Sequence, residues 1–120
     1  MRVILTVEDD PEVAALLADA LTALRYDVRV AHTAGDALMM AEMERPDAIL
    51  LDINLPDSSG TSTLDRLRAM RPDVPIIMVT GNGDVELARD TLKRGAFDYV
   101  MKPFNIDRLT QAVEAALASS

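Results

Sequence analysis

Short strand-like runs alternate along this chain with stretches of helical periodicity, five of each, and that alternation leaves few folds open. Val3-Ile4-Leu5-Thr6-Val7 is branched, nearly continuous in apolar character and too short for a helix, so it reads as a strand buried on both faces, β1. Pro11 then suits the first position of a helix α1, in which Val13, Leu16, Leu17, Ala20, Leu21 and Leu24 recur at helical spacing. Asp27-Val28-Arg29-Val30-Ala31 is a more polar strand, β2, whose weak pattern suits a sheet edge, and helix α2 follows from about Ala34 to Glu44. Arg45-Pro46 stops it. Ala48-Ile49-Leu50-Leu51 is β3, running straight into Asp52, and Asp57-Ser58-Ser59-Gly60 marks a turn and a capped start for α3, which carries Leu64, Leu67 and Met70. Ile76-Ile77-Met78-Val79 is β4, followed by the loop Thr80-Gly81-Asn82-Gly83, with Asp84 as cap of a helix α4 that ends at Gly95. Phe97-Asp98-Tyr99-Val100 is β5, and Ile106, Leu109, Val113 and Leu117 stripe α5.

Strict alternation with apolar strands predicts an α/β fold, a single doubly wound five-stranded parallel sheet with five helices. The strand order 2-1-3-4-5 is the natural candidate, and in it β1 and β3 are neighbours across the switch point. Glu8, Asp9 and Asp52 then meet beyond the carboxyl ends of those strands, and Thr80 and Lys102, which follow β4 and β5, border the same crevice. Carboxylates from separate strands can hold a hard divalent cation, while a lysine neutralises a phosphoryl oxygen. In outline this is a metal-assisted phosphoryl-acceptor site.

The chain is expected to be one domain over residues 1–120, since 120 residues bury a core unaided and leave no room for a second domain. It has no cysteine, which excludes disulfides, thiolate nucleophiles and cysteine zinc sites. With no basic-then-apolar leader and no apolar run of membrane-spanning length, a cytoplasmic location is the expectation, with no membrane partner. A net charge of −8 repels phosphate backbones, so direct nucleic-acid binding by this domain is not expected.

Four motifs in order carry a resemblance that covers essentially the whole chain: Val-Glu-Asp-Asp-Pro at 7–11, Leu-Leu-Asp-Ile-Asn-Leu-Pro-Asp at 50–57, Val-Thr-Gly at 79–81, and Gly-Ala-Phe-Asp-Tyr-Val-Met-Lys-Pro-Phe at 95–104. The chain resembles the receiver domain of two-component response regulators. The resemblance implies that Asp52 is the phosphoacceptor, taking a phosphoryl group from a phosphohistidine on a histidine kinase or phosphotransfer protein. It implies Mg²⁺ as cofactor, with Asp9 and Asp52 as ligands, Glu8 acting through water and the backbone carbonyl of Asn54 completing the protein donors. It implies too that Lys102 pairs with the phosphoryl group, that the 102–103 peptide bond is cis, and that Thr80 and Tyr99 form the switch. The output then passes through the α4–β5–α5 face to an output domain or downstream protein, and a phosphorylation-dependent homodimer is a further expectation. Enzymatic turnover beyond self-phosphorylation and self-dephosphorylation is not.

Two other readings compete. A Mg²⁺-dependent phosphatase with an aspartyl nucleophile typically carries a second acid two residues after it, where this chain has Asn54. An interaction module that has lost phosphorylation is opposed by the intact set Glu8, Asp9, Asp52, Thr80 and Lys102. Thr-Gly-Asn-Gly-Asp at 80–84 resembles receivers that precede ATPase-type transcription activators or simple helix-turn-helix effectors. Asp10 and Glu12 are expected only to enrich the start of α1 in acid. His32, beside β2, is expected to be exposed, structural and far from the crevice. Met39, Met40, Met43, Met70 and Met78 read as adaptable core filler, and Arg66, Arg68 and Arg71 as a solvated helix face.

Overall fold

A computed structural model describes residues 1–81 and 85–119. Five parallel strands, β1 (Val3–Val7), β2 (Asp27–Ala31), β3 (Ala48–Asp52), β4 (Ile76–Thr80) and β5 (Asp98–Met101), form one sheet in the order β2-β1-β3-β4-β5. The helices are α1 (Pro11–Ala23), α2 (Ala34–Met43), α3 (Gly60–Met70), α4 (Val85–Lys93) and α5 (Ile106–Ala118). The expected order and alternation hold. Asn82, Gly83 and the cap assigned to Asp84 lie outside the described residues.

Strand side chains alternate between two cores. On one face Leu5, Val7, Ile49, Leu51, Ile76 and Met78 pack with Leu38 of α2 and with Leu64 and Leu67 of α3. On the other, Ile4, Leu50, Ile77, Val79 and Val100 pack with Leu17 and Leu21 of α1 and with Leu109, Val113 and Leu117 of α5. A strand buried on both faces needs apolar residues at every position, which is why the runs in β1, β3 and β4 are nearly unbroken. Each helix start has its own side-chain acceptor where described: Asp10 for α1, Thr33 for α2, Ser59 for α3 and Asn105 for α5. Asp10 is therefore a cap, more than the acidic enrichment of the helix start expected of it.

Several expectations on single residues change. Leu16 is 54% exposed because it sits one position off the stripe formed by Ala14, Leu17 and Leu21. Met78 is core, but Met39 and Met43 are exposed on α2, whose inner face is filled by Ala34, Ala37, Leu38 and Ala41. Arg66 is exposed as expected, but Arg68 and Arg71 are not merely solvated. Arg68 donates to the Gly95 carbonyl at 2.9 Å, and Arg71 donates to the carbonyls of Ala41 and Glu42 at 2.9 and 3.1 Å, so both tie α3 to neighbouring helix ends.

Candidate functional site

The site follows from strand register. Val7 pairs with Leu51, so the next residues along, Glu8 and Asp52, leave adjacent strands side by side. Thr80 pairs with Met101, which puts Lys102 one step beyond. Backbone pairing runs past the strand ends to fix these positions: Glu8 N donates to Ala31 O at 2.9 Å, Ile53 N to Val79 O at 3.0 Å and Lys102 N to Thr80 O at 2.7 Å. The Lys102–Pro103 peptide bond is cis.

Glu8 and Asp52 are almost fully buried, while Asp9 is exposed at the crevice mouth. One oxygen from each of the three carboxylates lies within 4.8 Å of the others. The Lys102 ammonium stands 2.7 Å from Glu8 Oε1 and 3.2 Å from Asp52 Oδ2. Asp52 Oδ1 accepts from the Asn54 amide at 3.1 Å, and Glu8 Oε2 accepts from the Asp10 amide at 3.2 Å. Glu8 Oε1 is buried and, among the described residues, accepts no well-formed hydrogen bond, although the Lys102 ammonium is close. Three convergent hard oxygen donors, one of them without a proper hydrogen bond, fit a small divalent cation.

Burial pushes the Glu8 carboxyl up to about 7; Lys102 opposes the shift and Asp52 adds to it. Burial works against the charged form of Lys102 as well, but the Glu8 and Asp52 carboxylates more than offset it and hold the ammonium above its ordinary range. The Glu8 shift has a stability consequence. An unfolded Glu8 releases its proton near 4.5, whereas the folded one keeps it to about 7, so its contribution is full below pH 4.5 and is lost as pH rises through 7. Glu8→Gln, which mimics the protonated acid, is expected to gain ~2 kcal/mol over the parent at pH 8 and almost nothing at pH 4.5. Urea unfolding without divalent cations at the two pH values checks this, and an equal difference at both refutes it.

Thr80 is fully buried, and its hydroxyl donates to the Gly81 carbonyl at 3.2 Å. Tyr99 is half-buried, packs against the α2–α3 core and pairs in register with Met78. Its carbonyl accepts from Arg108, whose guanidinium also pairs with Asp98 at 2.9 Å. The expectation that His32 lies far from the crevice does not hold. Its ring Nδ1 is 3.0 Å from the Glu8 carbonyl oxygen, because β2 neighbours β1 and ends level with it. Asp57, expected only as part of the turn that starts α3, accepts instead from the first amides of α2. No helix among the described residues is long and apolar enough to cross a membrane.

Known proteins share both sequence and shape with this chain. It is 41% identical to the nitrogen assimilation regulatory protein NtrX of Azorhizobium caulinodans over 116 residues, covering 95% of this chain and 26% of that protein. It is 39% identical to the regulatory protein LuxO of Vibrio cholerae, covering 92% of this chain and 24% of that one. The chain thus spans about a quarter of the length of these relatives. The crystal structure of the receiver domain of NtrX from Brucella abortus superposes with a TM-score of 0.94 at 35% identity, covering 98% of this chain and 99% of that one. A CheY-like receiver domain protein from Methanospirillum hungatei does so at 0.92 and 36%, over 98% and 94% of the two chains. Residues 4–114 match the response regulator receiver domain family, and with the five-stranded order and the acidic crevice in place, the chain belongs to that family of two-component signalling switches.

Proposed function

We propose that residues 1–120 form one phosphorylation-operated receiver unit in which Asp52 accepts a phosphoryl group from a phosphohistidine of a partner kinase or phosphotransfer protein. Receiver domains of response regulators are phosphorylated by histidine kinases, connect to output domains and bind Mg²⁺ at an acidic pocket. The observation that carries the assignment to Asp52 is its place: a buried carboxylate at the end of the central strand, flanked by two acids and facing an ammonium. An Asp52 oxygen attacks phosphorus, the phosphorus–nitrogen bond to the donor imidazole breaks, and the nitrogen keeps the bonding electron pair.

Asp9, Asp52 and the Asn54 carbonyl are the protein donors to Mg²⁺ in this reading, with Glu8 acting through water. Bound there, Mg²⁺ would neutralise charge on the transferring phosphoryl oxygens. Lys102, held now by two carboxylates, exchanges one of them for a phosphoryl oxygen. The Thr80 hydroxyl leaves the Gly81 carbonyl for the same group, and Tyr99 on the adjacent strand repacks, which alters the α4–β5–α5 face seen by an output domain, a downstream protein or a second copy. The domain signals by occupancy of this state, without turnover of a separate substrate.

Incubation with acetyl phosphate and Mg²⁺ is expected to add one phosphoryl group to the parent protein and none to Asp52→Asn, read by intact mass. Undiminished phosphorylation of the variant would place the acceptor elsewhere.

A further inference from the structure

Asp57 makes contacts that neither the strand ends nor the helix caps require. Its Oδ1 accepts from the Ala34 amide at 2.9 Å and its Oδ2 from the Gly35 amide at 3.1 Å, so both oxygens engage the first turn of α2 across more than twenty residues of sequence. Those two donors hold its carboxyl below the ordinary range. Ser59 already caps α3, and Thr33 already caps α2 through the Asp36 amide at 3.1 Å. Asp57 takes amides that Thr33 leaves free.

The segment it grips leads directly to the other side of the crevice. Running back from Gly35 through Thr33, the chain reaches His32, whose ring Nδ1 is 3.0 Å from Glu8 O, and Ala31, whose carbonyl accepts from Glu8 N at 2.9 Å. Residues 31–35 thus hold the turn bearing Glu8 and Asp9 at one end and the loop after Asp52 at the other. The base of that loop is closed by a bridge between Asn54 and Ser59, and Asp57 is the anchor of its outer part.

We infer that Asp57 is a positioning residue for the cation site, bracing the β3–α3 loop against the β1–α1 turn through the N-terminal turn of α2, so that oxygen donors on the two stay at binding separation. This rests on the reading of the crevice as a Mg²⁺ site. Mg²⁺ tolerates little departure from octahedral geometry at short oxygen distances, so a donor carried on a loop held only at its base loses affinity even when the fold is intact. A cap that served stability alone would lower the melting temperature and leave the affinity unchanged.

Titration of the parent, Asp57→Asn and Asp57→Ala with Mg²⁺ alone, followed by backbone amide shifts, separates these. Asp57→Ala is expected to bind Mg²⁺ about tenfold more weakly, and Asp57→Asn, which keeps one acceptor oxygen, about threefold more weakly, with native shift dispersion retained in both. If Asp57→Ala does not fold, Asp57→Asn decides by itself. Affinities within twofold of the parent, with only a lowered melting temperature, overturn the inference while leaving the Mg²⁺ reading intact. Absence of Mg²⁺ binding by the parent overturns the metal reading itself and the inference with it.

Discussion

Gly60→Ala is expected to destabilise the protein by about 3 kcal/mol or more and to lower its melting temperature by roughly 10 °C. A Cβ at this first residue of α3 would lie 2.5 Å from the Ile53 carbonyl oxygen, 2.6 Å from its Cα and 2.9 Å from its carbonyl carbon. All three atoms are backbone, so no rotamer change relieves the clash. Either α3 must withdraw from Leu64 and Leu67, or Ile53 must shift and take the Asn54 amide off Asp52. Gly35→Ala is the matched control. Its Cβ would meet nothing closer than 3.7 Å, and the change is expected to stay within about 1 kcal/mol of the parent. Thermal melts of both variants test this, and a Gly60→Ala protein as stable as Gly35→Ala would show that the close approach is not maintained in solution.

Lys102→Met has the second large expected effect. The substitution keeps much of the side-chain volume but leaves the Glu8 and Asp52 carboxylates crowded and without a cation. Glu8 then holds its proton to a pH still higher than about 7. Stability that the parent stops losing once pH has risen through 7 goes on being lost by the variant, at the same slope and over a wider range. The expected cost is up to about 3 kcal/mol at pH 9, where the parent's Glu8 is ionised beside Lys102 and the variant's has no cation to let it ionise, and much less at pH 5, where it is protonated in both. Saturating Mg²⁺ should return more stability to the variant than to the parent, because a divalent cation supplies the missing positive charge. Denaturant midpoints at both pH values, with and without Mg²⁺, measure all of this. A pH-independent loss would mean that Lys102 acts through packing alone.

The parts of the molecule legible in the sequence are those governed by short-range rules. The apolar runs of β1, β3 and β4 could only be strands buried on both faces, and their alternation with helical stripes dictated a parallel sheet. The meeting of Glu8, Asp9, Asp52 and Lys102 then followed from strand order, since each stands just past a strand end. Contacts between a long side chain and a distant backbone group have no such periodicity. Arg71 reaching Ala41 O, His32 beside Glu8 O and Asp57 gripping α2 depend on where loops place a carbonyl or an amide. Asp57 did leave a trace: Ser59 suffices to cap α3, so the acid two residues earlier was surplus to that helix. The exposure of Met43 was hidden for a different reason, because the buried side of α2 is mostly alanine, with Leu38 as its one large residue.

That same economy of burial recurs, more sharply, in α4. Its fully buried residues are Ala88 and Thr91, whereas Val85, Leu87 and Leu92 are each more than a third exposed. Every other described helix puts at least one leucine into the interior. The far end of α4 is fastened, with Arg94 paired to Asp65 at 2.7 Å and Arg68 gripping the Gly95 carbonyl. Sliding or tilting the leading end about that fastened end would wet little oil, so the work of moving it is small beside that of moving α1, α3 or α5. If Asp52 takes the phosphoryl group as proposed, a few hydrogen bonds gained around it would be commensurate with moving α4, and the sensitivity of such a switch would be set as much by two small side chains under α4 as by the charges in the crevice.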